Sequence, residues 1–286
     1  MQQSERKAFA KINLSLNIFP ERGPRGYYKV RFVNTSISLH DQVKIKKTKT
    51  PGIKIDEPTI EESENLAGRA ARLMFETFEL GGGLEISIEK RIPSRAGLGG
   101  GSSDAAAVIN GIIELYGLSV SIDERIKLAS GLGMDVCYCI VGGLCVVEGI
   151  GDMVKRLPWN PPTLDLLIAT PEEKKPSTEW AYSILEEDGL GREYSRLEAL
   201  LEGLRQSDTR SIAENLYNDF EKFVFNHYPV AADLKRRMLE LGAINSILAG
   251  SGLSVFGVFK EPHIQEQARM ALRQEGFWCE TARPVE

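Results

Sequence analysis

The sequence predicts a globular chain of mixed strands and helices in two domains, and three observations predict it. Apolar and polar residues alternate in several N-terminal stretches, the period of a strand with one buried face. Longer segments repeat apolar residues every third or fourth position between helix-start and helix-stop residues. Finally, "LPWNPPT" at 157–163 gathers three of the thirteen prolines, a boundary signal. With 286 residues, 42% of them apolar, the chain can fill the cores of two ordinary domains. We place the division between 1–158 and 159–286.

Residues 8–19, "AFAKINLSLNIF", alternate through Ile12, Leu14, Leu16 and Ile18 and read as a first strand. "ERGPRG" is a turn, "YYKVRFVNTSISL" a second strand and "DQVKIKKT" a third. In "ENLAGRAARLMFETFEL" the i+4 series Leu66, Ala70, Met74, Phe78 predicts a helix that Gly81 to Gly83 stop. "LEISIEKRI" is a strand running into the loop "PSRAGLGGGSS", and "DAAAVINGIIELYG" is a helix ending at Gly117. Ser121 has the character of a helix N-cap for "IDERIKLAS". "DVCYCIVGGLCVVEG" reads as a hairpin about Gly142 and Gly143, with Cys137 and Cys139 buried on one strand face. Beyond the prolines, "LDLLIATP" is a buried strand, 177–239 is mostly helical, "INSILAGSGLSVFGVF" is strand, glycine turn and strand, and "EPHIQEQARMALRQEG" is a last helix.

The formal charge of −5 has no long block of one sign, which argues against a nucleic-acid or membrane surface as the main partner and favours a small molecule. No segment reaches the roughly 20 apolar residues of a membrane span, and the first residues lack a signal-peptide core, so a cytoplasmic protein is expected. Four cysteines without a CxxC pair and three scattered histidines predict reduced thiols and no structural zinc.

Four features carry possible chemistry. The loop with Gly97, Gly99, Gly100 and Gly101 stands between a strand and a helix, where unpaired backbone N–H groups face an anion. It is no Walker A loop, since no Lys-Ser or Lys-Thr follows, and Ser102 takes the place of the third glycine of GxGxxG. Alone it is equally a tight turn; Ser102 and Ser103 add hydroxyls that can cap the helix or reach a phosphate and its magnesium. Lys11 is by default a lysine on the wet face of its strand, Asp135 a turn or capping residue, and "AGSGLS" a hairpin turn.

Taken together, "FAKINLSL", "IPSRAGLGGGSSDAA" and "AGSGLSVFGVF", in this order and spacing, resemble the three motifs of the GHMP kinases, the family of galactokinase, homoserine kinase, mevalonate kinase and phosphomevalonate kinase. Further matches such as "ENLAGRAARL", "LGMDV" and "PSTEWAY" extend the resemblance over nearly the whole chain. It implies an α+β, two-domain fold, with an N-terminal domain like domain 2 of ribosomal protein S5 and a ferredoxin-like C-terminal domain. It implies an ATP-dependent kinase with Lys11 and Asp135 as catalytic pair. Asn65 corresponds to an adenine contact. Pro93, Ala96, Gly97, Leu98, Gly99, Gly100, Gly101, Ser102 and Ser103 correspond to the phosphate loop, with Mg²⁺ bridging phosphate oxygens near Ser103. Asn13, Tyr27, Tyr28, Tyr182, Gly250, Ser251 and Gly252 fall on the acceptor side, Tyr27 and Tyr182 as a stacking clamp for a flat base. The partner is then a small-molecule substrate, with no nucleic acid or membrane, in a monomer or weak homodimer.

Three positions depart from the family pattern. Tyr28 stands where a base-binding histidine is usual, Cys137-Tyr138-Cys139 where Pro-Phe-Phe is usual, and Leu253 replaces a frequent proline. Tyrosine lacks the second ring nitrogen of histidine. A kinase acting on another alcohol or phosphate acceptor, and a catalytically silent nucleotide-binding homologue, are therefore the competing expectations.

Overall fold

The computed structural model describes residues 2–57 and 65–286; Glu64, at the start of one expected helix, lies outside them. In chain order the elements are β1 (Gln3–Arg22), β2 (Tyr28–Thr48), β3 (Gly52–Asp56), α1 (Leu66–Thr77), β4 (Gly83–Glu89), α2 (Gly100–Tyr116), α3 (Ile122–Ser130), α4 (Met134–Val141), β5 (Cys145–Glu148), β6 (Met153–Arg156) and β7 (Asp165–Thr170). There follow α5 (Thr178–Ser183), α6 (Tyr194–Gln206), α7 (Thr209–Glu214), β8 (Tyr217–Asn218), α8 (Phe220–His227), α9 (Pro229–Glu240), β9 (Asn245–Leu248), β10 (Val255–Phe259), α10 (Pro262–Gln274), β11 (Trp278–Ala282) and β12 (Pro284–Val285).

These elements form two compact units. The first comprises Met1–Ala10, His40–Ser94 and Gly99–Gly142; the second comprises Lys11–Leu39, Arg95–Leu98 and Gly143–Glu286. The proline stretch 157–163 therefore falls inside the second unit, because β5 and β6 before it and the sheet after it share that unit.

In the first unit the second half of β2 pairs antiparallel with β4, and β4 pairs parallel with β3. Ile45, Leu84, Ile86, Met74, Ile109 and Ile112 are buried there. A run of buried alanines, Ala105 to Ala107, lets α2 pack closely on α1 and α4. Ser121 caps α3 as expected: its hydroxyl accepts from Glu124 N while the Glu124 carboxylate accepts from Ser121 N, a reciprocal capping box.

In the second unit β11, β7, β10 and β9 form an antiparallel sheet in that order, with α9 and α10 packed on it. Numbered along the chain, these four strands lie 4-1-3-2, with helices after the first and third, which is the expected ferredoxin-like pattern. In the same unit β1 pairs with β8 in parallel, and the first half of β2 pairs with β5 and β12.

Three sequence expectations are corrected. The second and third strands are one 21-residue strand, β2, because no glycine or proline interrupts "SLHDQV". Helix α2 starts at Gly100, so two of the loop glycines belong to its first turn. The segment 134–141 is a helix, not half of a hairpin: a short apolar run fits a buried helix as well as a strand, and here Gly142 at φ 64° ends a helix whose Val136, Cys137, Tyr138 and Ile140 are all buried. Two residues apart on a helix point to opposed sides, so Cys137 is buried while Cys139 is half-exposed.

Burial also pushes the thiols of Cys145 and Cys279 up to about 12. Alkylation of the native protein at pH 8, followed by mass spectrometry, is expected to mark Cys139 first and to spare Cys137, Cys145 and Cys279 until the chain unfolds. Equal rates for Cys137 and Cys139 would mean that they share one face, as a strand requires.

Candidate active site

Lys11 is not on a wet face. It is 4% exposed, and Asn13, Ser15 and Asn17 on the same side of β1 are buried as well, opposite the apolar row Ile12, Leu14, Leu16, Ile18. The alternation therefore separates a polar interior from an apolar one. Lys11 Nζ donates to Asn13 Oδ1 at 3.0 Å, and Asn13 Nδ2 donates to Asn34 Oδ1 at 2.6 Å. These bonds fix the direction of the lysine side chain along the buried row.

The glycine turn after β9 explains why this row is so well fixed. Gly97 has φ 88°, and a β-carbon there would stand 1.9 Å from Ala249 O; one on Gly252 would stand 2.1 Å from Ala96 O. Main chain lies directly on main chain, with Ser254 N donating to Ala96 O and Lys11 N donating to Leu98 O. A β-carbon on Gly250 would meet Lys11 Nζ at 3.1 Å and Asn13 Oδ1 at 3.3 Å, so this turn walls the lysine. Asn218 ties the turn down by donating to Leu248 O and Gly250 O. Ser251 is half-buried at its tip.

The aromatic residues pair differently from the expected clamp. Tyr27 is 49% exposed. Tyr28 is buried, stacked on Tyr182 with centroids 6.0 Å apart and planes at 19°, and the Arg22 guanidinium lies 3.3 Å from the Tyr28 ring centre. A base held between two rings needs two contact distances, about 7 Å. Tyr182 also meets the Phe220 ring edge-on.

The first unit carries Asn65, Pro93, Gly99 to Ser103 and Asp135. Asn65 caps α1, its Oδ1 accepting from Gly68 N. Gly99, at φ 73°, precedes α2 with no side-chain cap, so the first-turn N–H groups of a 17-residue helix have no side-chain acceptor. That fits phosphate. Ser102 is half-buried, whereas Ser103 is buried and its hydroxyl donates to Phe9 O at 2.5 Å; Cys139 Sγ lies 3.4 Å from Ser103 Oγ. Toward a cation Ser103 is thus an acceptor only. Among the described residues no group of three or more His, Cys, Asp or Glu could hold a metal ion. This donor set fits a magnesium carried largely by phosphates and water. Asp135 is half-buried in the first turn of α4.

Sequence reasoning missed an ion cluster below α2. Lys90 Nζ donates to Asp41 Oδ2 and Asp104 Oδ2, and Asp41 Oδ1 accepts from Arg91 N and Ile92 N. Burial works against the Lys90 charge, but the two carboxylates outweigh it and raise its pKa. Burial, with Asp41 nearby, pushes the Asp104 carboxyl up to about 7 against the pull of Lys90. The only sequence signal was three charges beside apolar stretches. Asn34 was missed for the same reason.

The sequence profile of the GHMP kinases N terminal domain matches residues 65–143, and that of the GHMP kinases C terminal domain matches 197–277. The chain is 39% identical to the 4-diphosphocytidyl-2-C-methyl-D-erythritol kinase of Acetivibrio thermocellus, covering 95% of this chain and 94% of that one. It is 36% identical to the enzyme of the same name from a Synechococcus strain, covering 100% and 96%. A crystal structure of 4-(cytidine 5'-diphospho)-2C-methyl-D-erythritol kinase superposes with a TM-score of 0.83 at 31% identity, over 99% of this chain and 100% of that one. Homoserine kinase from Cytophaga hutchinsonii gives 0.79 at 19% identity, over 100% and 95%, a likeness of fold.

The glycine contact generates a test. Gly97→Ala is expected to cost about 1–3 kcal/mol from backbone strain alone, and to lower activity by displacing 249–252. Gly81→Ala, where a β-carbon meets nothing within 4 Å, is the control and should be neutral. Urea unfolding of both variants checks this; equal stability would show that the close approach is not needed.

Proposed function

The chain belongs to the GHMP kinases, and from that membership we propose that it uses ATP to phosphorylate the 2-hydroxyl of 4-diphosphocytidyl-2-C-methyl-D-erythritol, a step of non-mevalonate isoprenoid precursor biosynthesis. One observation carries the choice of acceptor: identity of 39% to a kinase of that name, spread over 95% of the chain. Lys11, Asp135 and the glycine loop before α2 support the same reading.

Phosphoryl transfer asks a protein mainly to position the nucleophile and to stabilise charge. In this reading Asp135 orients the acceptor hydroxyl and takes its proton, while Lys11 favours the alkoxide and offsets charge on the transferring group. Gly99 to Ser102 offer backbone N–H groups to the ATP phosphates, and Asn65 borders the adenine. Magnesium, bound with the nucleotide, supplies neutralisation of phosphate charge. On the acceptor side Asn13 holds a polar group of the substrate, Gly250 to Gly252 wall it, and Tyr27, Tyr28 and Tyr182 meet the base. We keep residue 158 as the boundary between the two family segments, since the matched stretches 65–143 and 197–277 lie on either side of it.

Tyr28 favours a second reading. Its ring is already engaged by Arg22 and Tyr182, and it stands where a histidine is usual, which suits a GHMP kinase with a different alcohol or phosphate acceptor.

ADP release with a panel of cytidylylated polyols, plain polyols and mevalonate phosphates decides between them. Turnover is expected on the cytidylyl compound; turnover on another acceptor and none on this one would overturn the first reading. Asp135→Asn is expected to lower kcat by about 10²–10⁴ with little change in ATP affinity. Wild-type turnover in that variant would remove Asp135 from the mechanism.

A further inference from the structure

We propose that Asp41, Lys90 and Asp104 are positioning residues that hold the first turn of α2 in register with the end of β4, and so set nucleotide affinity without touching the nucleotide. The inference rests on the kinase reading, since it is the proposed phosphate-binding turn that the cluster would hold.

The geometry is specific. Lys90 follows the last residue of β4, and its ammonium joins a carboxylate of β2 to one of α2, at 2.5 Å from Asp41 Oδ2 and 2.7 Å from Asp104 Oδ2. The side chains of Asp41 and Asp104 are 0% and 3% exposed. The other oxygen of Asp41 holds two consecutive main-chain amides, Arg91 N at 2.5 Å and Ile92 N at 2.8 Å, directly before Pro93. A β-carbon on Gly100, the first residue of α2, would lie 3.4 Å from Lys90 Nζ and 3.0 Å from Ile92 Cγ2. One ammonium thus lies against the first helical residue while its two partners fix the chain before the loop and the helix after it.

The composition of the cluster argues for positioning over bulk stability. Two carboxylates share one ammonium, and Asp104 Oδ1 is buried without a hydrogen-bond partner. Well-packed apolar residues of the same volume often stabilise a core as well as a buried ion pair does. What apolar packing cannot supply is direction: a hydrogen-bonded ammonium fixes distances to both carboxylates, and the helix turn inherits them. Backbone donors aimed at a phosphate bind it alike before and during transfer, so misplacing them raises Kd and KM for ATP more than it lowers kcat.

The test is the affinity of the full-length protein for a non-hydrolysable ATP analogue with magnesium, by titration calorimetry, alongside thermal melting and the kinetic constants. Asp104→Ala and Lys90→Met are expected to weaken binding about tenfold or more, the order that misplaced positioning groups cost, with KM for ATP rising and KM for the acceptor unchanged. Asp104→Asn, which still accepts from Lys90, is expected to restore wild-type affinity. Lys90→Arg keeps the charge but changes its reach, and is expected to fold and bind several-fold more weakly. Variants that melt lower yet bind the analogue like wild type would overturn the inference, as would wild-type affinity in Lys90→Arg. A wild-type protein that binds no nucleotide would overturn the kinase reading and this inference with it; wild-type binding unaltered in every variant would overturn the inference alone.

Discussion

The second unit turns on one steric fact: residues 96–97 and 249–252 approach so closely that no β-carbon fits between them. A main chain pressed on a main chain leaves few ways to move. Lys11 and Asn13 are set by that contact, because the lysine amide donates to Leu98 O and its ammonium is walled by Gly250. Asn218 secures the turn from the other side. Glycine here is chosen for absence of volume as much as for its dihedral freedom.

The polar interior of β1 follows from this constraint. A buried amine is costly unless it is hydrogen-bonded, and Lys11 is joined in a row to the amides of Asn13 and Asn34. The first unit solves a related problem differently, with a lysine between two carboxylates below α2.

Much of the fold was legible in the sequence because its signals were local. Ser121 and Glu124 announce a capped helix, Gly117 ends another, and the strand period of 8–19 is unmistakable. What failed was local ambiguity resolved by distant packing. Residues 134–141 are apolar enough for either structure, and only their burial among other helices decides for α4. The family was legible through motif order, since Lys11 or Asp135 alone is ordinary. The polarity of a buried strand face was not legible, because period two reports alternation and not which side is wet. Nor was the pairing of Tyr28 with Tyr182, which joins residues 154 positions apart by number (182 − 28) through tertiary packing alone.

The long strands β1 and β2 carry a consequence for how this protein is inherited. Residues 11–39 lie early in the sequence, yet they complete the later unit, offering edges to β5, β8 and β12. A gene split at the proline stretch would therefore separate the later unit from its parts of β1 and β2 and from β5 and β6. Neither half of the sequence is a transferable module, so recombination can exchange the ends of these strands only together.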